Sequence, residues 1–347
     1  QYMLSLEDDE PFTFNPADTG TYVHSILERF VRDTQAAGRR IADYTPEELH
    51  AVSVRLCTEE SRRIMCASGG GNARFISFFE RMQKNVELIL SDLVAEFAES
   101  DCEPLLCEYR IGMDGGHAPL VIDLPVGGRA SLRGIADRID ICRADGKTYL
   151  RVVDYKTGKK SFDYTNVLHG RGLQMLLYLF ALVRQGGHLL HGEPLPAGVL
   201  YFPARIERVS VRDRLAQAEI EKERRKQLRR SGVLLNSDPV LEAMEPCGGS
   251  PRFLPYALDK EGRKTGDLAS FAQLAQLERF VFRTVAALGD ELADGRIDPD
   301  PCIRDAKDSA CAFCPYSEIC AGHEQPRWLK KITAEEFWQT LERREHG

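Results

Sequence analysis

The stretch Gly134–Lys156, G-I-A-D-R-I-D-I-C-R-A-D-G-K-T-Y-L-R-V-V-D-Y-K, constrains this chain more than any other. It reads as two β-strands around a tight turn. Ile135, Asp137, Ile139 and Ile141 share one parity and Asp140 takes the other; Ala144-Asp145-Gly146-Lys147 supplies Asp-Gly turn chemistry, and Tyr149–Val153 is a second β-rich run. Side chains alternate across a strand, so Asp137 is directed with the isoleucines toward a covered face. Asp154 follows where the second run ends, and Lys156, two residues on, shares its side of the pleat. Two carboxylates gathered away from water destabilise a fold unless cationic charge compensates. A hard divalent ion and the Lys156 ammonium would do so, and two acids with a lysine on adjacent strands suit a Mg²⁺-dependent phosphodiesterase. The plainer reading is a solvated ribbon whose charges form surface ion pairs.

The rest of the chain decides between them. With 347 residues, 43% hydrophobic and 29% charged, it has the composition of a water-soluble globular protein. It contains neither an apolar run of roughly 18 residues nor a secretory leader pattern, which predicts a cytoplasmic protein. The start at Gln1-Tyr2 reads as a piece of something longer. A net charge of −7 argues against coating nucleic acid by bulk electrostatics but leaves local contacts open. The densest basic run, Lys222–Arg230, reads equally as a solvated helix face or a phosphate contact. Ten cysteines predict reduced thiols and a metal site rather than disulfides. Cys57, Cys66, Cys102, Cys107, Cys142, Cys247 and Cys302 are scattered and read mostly as buried apolar thiols.

Taken in order, residues 1–14 read as an irregular extended segment, and Val23, Ile26, Leu27 and Phe30 predict a helix N-capped by Asp18 or Thr19. His24 sits beside that stripe and gains interest only if the helix lies over the acidic hairpin. Thr45-Pro46-Glu47-Glu48 starts a second helix running to about Cys66, and a third covers 73–98. Strands are expected at Pro104–Ile111, Leu120–Ile122, Ala130–Cys142, Thr148–Asp154 and Ala197–Pro203, with a helix over 171–184. A charged helix over Val211–Ser231, a largely loop region Leu234–Thr265, a helix over Leu268–Gly295, an irregular cysteine-bearing stretch Asp298–Gly322 and a capped helix Thr333–Arg344 follow. The fold class is α/β: a mixed central sheet, a helical N-terminal segment and a C-terminal cysteine-bearing region.

Gln174 and Tyr178 are four apart on an otherwise apolar helix and so share one face, reading either as a polar pair aimed at something polar or as a core-edge Tyr beside an exposed Gln. Cys311, Cys314 and Cys320 form C-x2-C-x5-C, one thiolate short of a closed soft-metal site, with Cys302 and His323 nearby.

The runs G-I-A-D-R-I-D, V-V-D-Y-K-T-G and L-Q-M-L-L-Y, preceded by D-T-G-x-x-x-H and followed by C-x2-C-x5-C, resemble the RecB-type nucleases of the PD-(D/E)xK superfamily, within it the nuclease domains of AddB-type subunits of bacterial helicase–nucleases. The resemblance covers about Gln1 to Gly322 and implies a restriction-endonuclease-like core at 104–208 in a nuclease domain over 1–330, then a terminal helix at 331–347. It implies His24, Asp137, Asp154 and the Tyr155 carbonyl as ligands of Mg²⁺ or Mn²⁺, Lys156 activating the attacking water, and Gln174 and Tyr178 orienting Lys156 or touching DNA. It further implies DNA and an AddA-type subunit as partners. A [4Fe–4S] cluster is implied on Cys311, Cys314, Cys320 and a fourth cysteine upstream of Gln1; in this chain it is expected to be absent, incomplete or replaced. The competing expectations are a non-catalytic DNA-end-binding module and a stand-alone exonuclease related to CRISPR-adaptation nucleases.

Overall fold

The computed structural model describes residues 16–67, 73–113, 118–125, 127–158, 160–185, 187–190, 192–206, 217–246, 248–304, 309–320 and 326–346. Three helices lead: α1 (Pro16–Ala36), α2 (Pro46–Ala67) and α3 (Ala73–Glu99). The strands β1 (Glu103–Ile111), β2 (Leu120–Asp123), β3 (Arg129–Leu132), β4 (Gly134–Ala144) and β5 (Lys147–Lys156) follow. A crossover through α4 (Tyr164–Leu168), α5 (Gln174–Gln185) and α6 (Gly187–Leu190) reaches β6 (Leu195–Pro203), then α7 (Gln217–Leu228), β7 (Ser231–Leu235) and α8 (Asp238–Met244). The remainder is β8 (Tyr256–Leu258), β9 (Lys264–Gly266), β10 (Leu268–Ala269), α9 (Phe271–Ala293), β11 (Cys302–Ile303), β12 (Arg327–Trp328) and α10 (Ala334–His346).

The central sheet is mixed and six-stranded, in the order β1-β4-β5-β6-β7-β10. The β5–β6 and β7–β10 pairs are parallel and the others antiparallel. A parallel pair needs a long crossover, and α5 supplies it, burying Met175, Leu176, Leu179 and Phe180 in the core beside β5 and β6. The β4–β5 turn is the expected one: Ala144 pairs with Lys147, and Asp145 (φ 49°) and Gly146 (φ 69°) take the left-handed conformations a two-residue primed turn requires. At the other end of the chain, Thr333 caps α10, its hydroxyl accepting from Glu336 N at 3.2 Å. Phe337 of that helix is fully buried against Tyr164 and Phe280.

Several boundaries differ from the sequence reading. Helix α1 spans Pro16–Ala36, so Asp18 and Thr19 lie inside its first turns rather than ahead of it. The strand expected over 130–142 is two, β3 pairing, among the described residues, with β2 alone and β4 entering the main sheet. Ser231 belongs to β7 rather than to the charged helix, and the region read as loop contains β7, α8, β8 and β9. Strand β7 is a short apolar run, Val233-Leu234-Leu235, and at Gly232, which pairs with Leu200, a Cβ would collide with the Val199 carbonyl. Leu268 and Ala269 form the edge strand β10, and Ser270 caps α9. Residues 1–14, 207–216 (and with them the start of the expected charged helix) and His323 lie outside the described residues.

The expectation of reduced thiols throughout is corrected at one pair. Cys102 and Cys142 are buried and joined in a disulfide, because the Glu103–Ile141 pairing of β1 with β4 brings the next two residues opposite each other, Cα to Cα 4.2 Å.

The solvated-ribbon reading of the hairpin is overturned on its second face. Arg138, Asp140 and Arg151 alternate with the apolar parity and are fully buried. Asp140 accepts from Arg138 Nε at 2.8 Å and Arg151 Nε at 2.8 Å, Arg151 Nη2 donates to Glu96 at 2.8 Å, and Arg230 joins Glu96 (2.6 Å) to Asp92. Among the described residues, three buried guanidiniums and the partly exposed Arg252, which reaches Asp92 at 3.1 Å, thus meet three carboxylates between the sheet and α3.

Candidate active site

Four sequence-predicted residues meet at one end of the hairpin. The pairing of Arg138 with Val153 brings Asp137 level with Asp154, and β5 continues past its expected end through Lys156. Lys156 Nζ lies 2.5 Å from Asp154 Oδ2, an oxygen that is buried and has no hydrogen-bond partner among the described residues beyond that ion pair. Asp137 Oδ2 accepts from Tyr155 N–H at 2.8 Å. Helix α1 does lie over the hairpin: His24 Nε2 is 2.7 Å from the Tyr155 carbonyl oxygen, and its Nδ1 is 3.4 Å from Asp137 Oδ2. One residue therefore ties the set together through its backbone, Tyr155, whose amide and carbonyl serve Asp137 and His24. Its buried side chain is anchored separately, the hydroxyl accepting from Arg138 Nη1 at 3.1 Å and the ring standing edge-on to Phe202.

The sequence reading missed Glu108. Cys107 pairs with Arg138 and Tyr109 with Ala136, so Glu108 on β1 faces Asp137 across the strands. Like charges directly opposed destabilise a sheet, and Glu108 also holds a left-handed backbone, φ 48°, that a non-glycine residue rarely adopts. Both features are characteristic of a site rather than of packing. One ligand atom from each of His24, Glu108 and Asp137 lies within 4.8 Å of the others. Burial pushes the Glu108 carboxyl up to about 7, with Asp137 and Glu28 adding repulsion. Burial likewise raises Asp137, where the pull of His24 opposes it and Asp154 reinforces it. A carboxylate cluster whose members resist ionisation in one another's presence is one that a cation stabilises. An acid between Cys107 and Tyr109 in a strand was the available signal; only the register gave it meaning.

Gln174, at the start of α5, donates to the Tyr178 hydroxyl at 2.9 Å. That hydroxyl and ring abut the Cα of Gly134, where an added Cβ would come 2.7 Å from the ring carbon bearing the hydroxyl. Residue 134 is therefore glycine for a steric reason, and Tyr178 stands at the mouth of β4.

The donor set is one imidazole nitrogen, carboxylates and a backbone carbonyl, largely hard oxygens with a single nitrogen, which fits Mg²⁺ and Mn²⁺. Cys311 lies in a short 3₁₀ turn, Ala310–Phe313, which Cys314 ends, Ser309 Oγ accepting from Cys311 N and Cys314 N donating to the Cys311 carbonyl; Cys320 comes after it, its N–H donating to the Tyr316 carbonyl, and none of the three is in a disulfide. Among the described residues they are not gathered with their ligand atoms within 4.8 Å, as His24, Glu108 and Asp137 are. Cys302 is engaged elsewhere, accepting from Arg327 Nη2 at 3.0 Å.

The family model for the PD-(D/E)XK nuclease superfamily matches residues 1–321. The chain belongs to that superfamily. PD-(D/E)XK nucleases use divalent metals, and the acidic group around Asp137 is where this member can hold one. Among curated relatives, the chain is 27% identical over its full length to an AddB-type ATP-dependent helicase/deoxyribonuclease subunit of Clostridium perfringens (strain SM101 / Type A), covering 31% of that protein. It is 29% identical over 92% of its length to the protein of the same name in Moorella thermoacetica, 28% of which is covered. It is 30% identical over 98% of its length to that of Symbiobacterium thermophilum, with 30% covered. The chain thus spans about three-tenths of the length of these relatives. No helix among the described residues is long and apolar enough to cross a membrane.

Proposed function

We propose that this PD-(D/E)XK nuclease module is a Mg²⁺- or Mn²⁺-dependent deoxyribonuclease, acting as an exonuclease within a cytoplasmic helicase–nuclease that processes double-strand ends for recombinational repair. The helicase–nuclease context, and with it an AddA-type partner subunit and DNA as substrate, is carried over from the relatives. The observation that supports the chemistry best is the convergence of His24, Asp137, Asp154, the Tyr155 carbonyl and Lys156 at one end of a single hairpin. The bound ion would polarise the scissile phosphate and acidify a water. Asp137, Asp154, His24 and the Tyr155 carbonyl are its proposed ligands, with Glu108 an added one. Lys156, already against Asp154, orients the attacking water and counters charge gathering on the phosphate oxygens. Gln174 and Tyr178, hydrogen-bonded to each other, form a polar rim that faces Lys156 or the DNA.

Cys311, Cys314 and Cys320 are the proposed protein ligands of a [4Fe–4S] cluster, a soft group suited to their thiolates. It would clasp the C-terminal segment and take no part in hydrolysis.

The test is digestion of linear DNA with Mg²⁺ or Mn²⁺. Lys156→Ala is expected to lose roughly 10²–10⁴ in kcat, the usual span for a positioned proton-transfer group. Undiminished turnover by that variant refutes the assignment.

A further inference from the structure

The β4–β5 pairing runs from Ala144 with Lys147 to Arg138 with Val153, and among the described residues it ends there, just short of the site. Tyr155 lies two residues past that last pair. Its backbone is turned to the β4 side, since the neighbouring Lys156 carbonyl accepts from Ala204 N–H at 2.8 Å on the β6 side. The Tyr155 amide donates to the Asp137 carboxylate at 2.8 Å, and its carbonyl oxygen lies 2.7 Å from His24 Nε2. Two backbone groups that a longer ladder would fix therefore serve side chains of the site instead.

The tyrosine's side chain holds them. Alternation places it on the face of Arg138, Asp140 and Arg151, opposite to Asp154 and Lys156. The ring is buried, edge-on to Phe202 at 5.5 Å and to the His24 imidazole at 5.7 Å. Its hydroxyl accepts from Arg138 Nη1 at 3.1 Å, and Arg138 is itself locked. Arg138 Nε and Nη2 donate to the two Asp140 oxygens at 2.8 and 3.1 Å, and the guanidinium stands 5.2 Å from the Phe97 ring and 5.9 Å from that of Phe202. Arg138 directly follows Asp137 in the chain. One fully buried cation thus connects the strand that carries Asp137 to the residue whose backbone serves Asp137 and His24. A tyrosine that merely fills the core needs only a partner for its hydroxyl; this one is clamped across two strands at the point where their ladder stops.

We propose that Arg138 is a positioning residue for the divalent-ion site. Acting through the Tyr155 hydroxyl, it does across β4 and β5 what further ladder bonds would do, and keeps the Tyr155 amide and carbonyl where Asp137 and His24 converge on them. The inference rests on the metal-dependent reading of that site. Groups behind metal ligands set ligand orientation, and removing one weakens metal affinity by about 10–100-fold.

The experiment compares the full chain with Tyr155→Phe, which keeps ring and backbone and removes only the hydroxyl. Tyr44→Phe, which deletes a hydroxyl 3.0 Å from Thr34 Oγ1, controls for the loss of an internal hydrogen bond. Mn²⁺ binding is measured by calorimetric titration without DNA. Tyr155→Phe should weaken it about tenfold, and the Mn²⁺ concentration giving half-maximal DNA cleavage should rise by the same factor, while Tyr44→Phe should move neither. Arg138→Met/Asp140→Leu removes the donor and should weaken Mn²⁺ at least as much; adding Tyr155→Phe to it should weaken binding no further, because the bond they share is already gone. A Tyr155→Phe affinity within about twofold of the parent's overturns the proposal. So does an equal loss in Tyr44→Phe, or losses that multiply in the combined variant. Should Tyr155→Phe fail to fold, the Arg138→Met/Asp140→Leu titration decides alone, parent-like affinity overturning the proposal. If the parent chain itself binds no Mn²⁺, the metal-dependent reading fails instead, a result distinct from a parent and a variant that bind equally well.

Discussion

Asp140→Asn tests how far the buried charge network behind the hairpin holds the fold. Asp140 receives three charge-assisted hydrogen bonds, from Arg138 Nε (2.8 Å), Arg138 Nη2 (3.1 Å) and Arg151 Nε (2.8 Å), and all three side chains are fully buried. Asparagine keeps the shape but removes the charge and turns an amide donor toward guanidinium donors. Four guanidiniums (the buried Arg138, Arg151 and Arg230, and the partly exposed Arg252 on Asp92) would then face two carboxylates (Glu96, Asp92). Leaving one buried charge uncompensated costs about 3–5 kcal/mol. At about 2.1 cal/mol/K per residue, 347 residues unfold with an entropy of roughly 0.7 kcal/mol/K, so Tm should fall by about 4–7 °C. Calorimetry measures it. The companion variant Arg138→Met/Asp140→Leu removes a cation and an anion together, leaves the charge difference of the network unchanged, and should be less destabilised than Asp140→Asn. A shift below about 1 °C for Asp140→Asn, or a double variant as unstable as the sum of its parts, refutes the reasoning.

Glu108→Gln should raise the Tm of the metal-free protein at pH 8, because the parent there ionises a carboxyl that burial and Asp137 hold up at about 7. The same change should weaken Mn²⁺ binding in calorimetric titration by about tenfold, and unchanged metal affinity would exclude Glu108 from the ligand set. Gly134→Ala should lower Tm by forcing Tyr178 from its place, with partial recovery of Tm in Gly134→Ala/Tyr178→Leu, which removes the overlapping ring, while activity falls in both. At Glu96, burial works against ionisation, but Arg230, Arg151 and Arg138 outweigh it and hold the carboxyl at about 2. Its folded value lies below the unfolded one of about 4.3, so its contribution is present above pH 4.3 and lost as pH falls toward 2. Urea midpoints should show a steeper acid loss for the parent than for Glu96→Gln.

Local pattern was enough to place the hairpin, its turn and the direction of Asp137, because parity and Asp-Gly chemistry act within a few residues. The same holds for the caps at Thr45 and Thr333, where a hydroxyl and an acid three residues apart satisfy each other's backbone. His24 could be nominated but not judged, since its value depends on α1 crossing the hairpin within 2.7 Å of Tyr155 O. Glu108, the Arg138–Asp140–Arg151 network, the Cys102–Cys142 pair and strand β7 were not legible. Glu108, the disulfide and β7 exist through registers between separate strands, and the arginine network is closed by Glu96 from the distant α3, relations set by tertiary packing rather than by neighbours in sequence. The sequence by itself determined which residues could carry phosphodiester chemistry. Only the folded sheet decided that Glu108 stands opposite Asp137 and that a largely buried ion network fills the hairpin's reverse face. Those are relations across strands, and alternation along one strand cannot encode them.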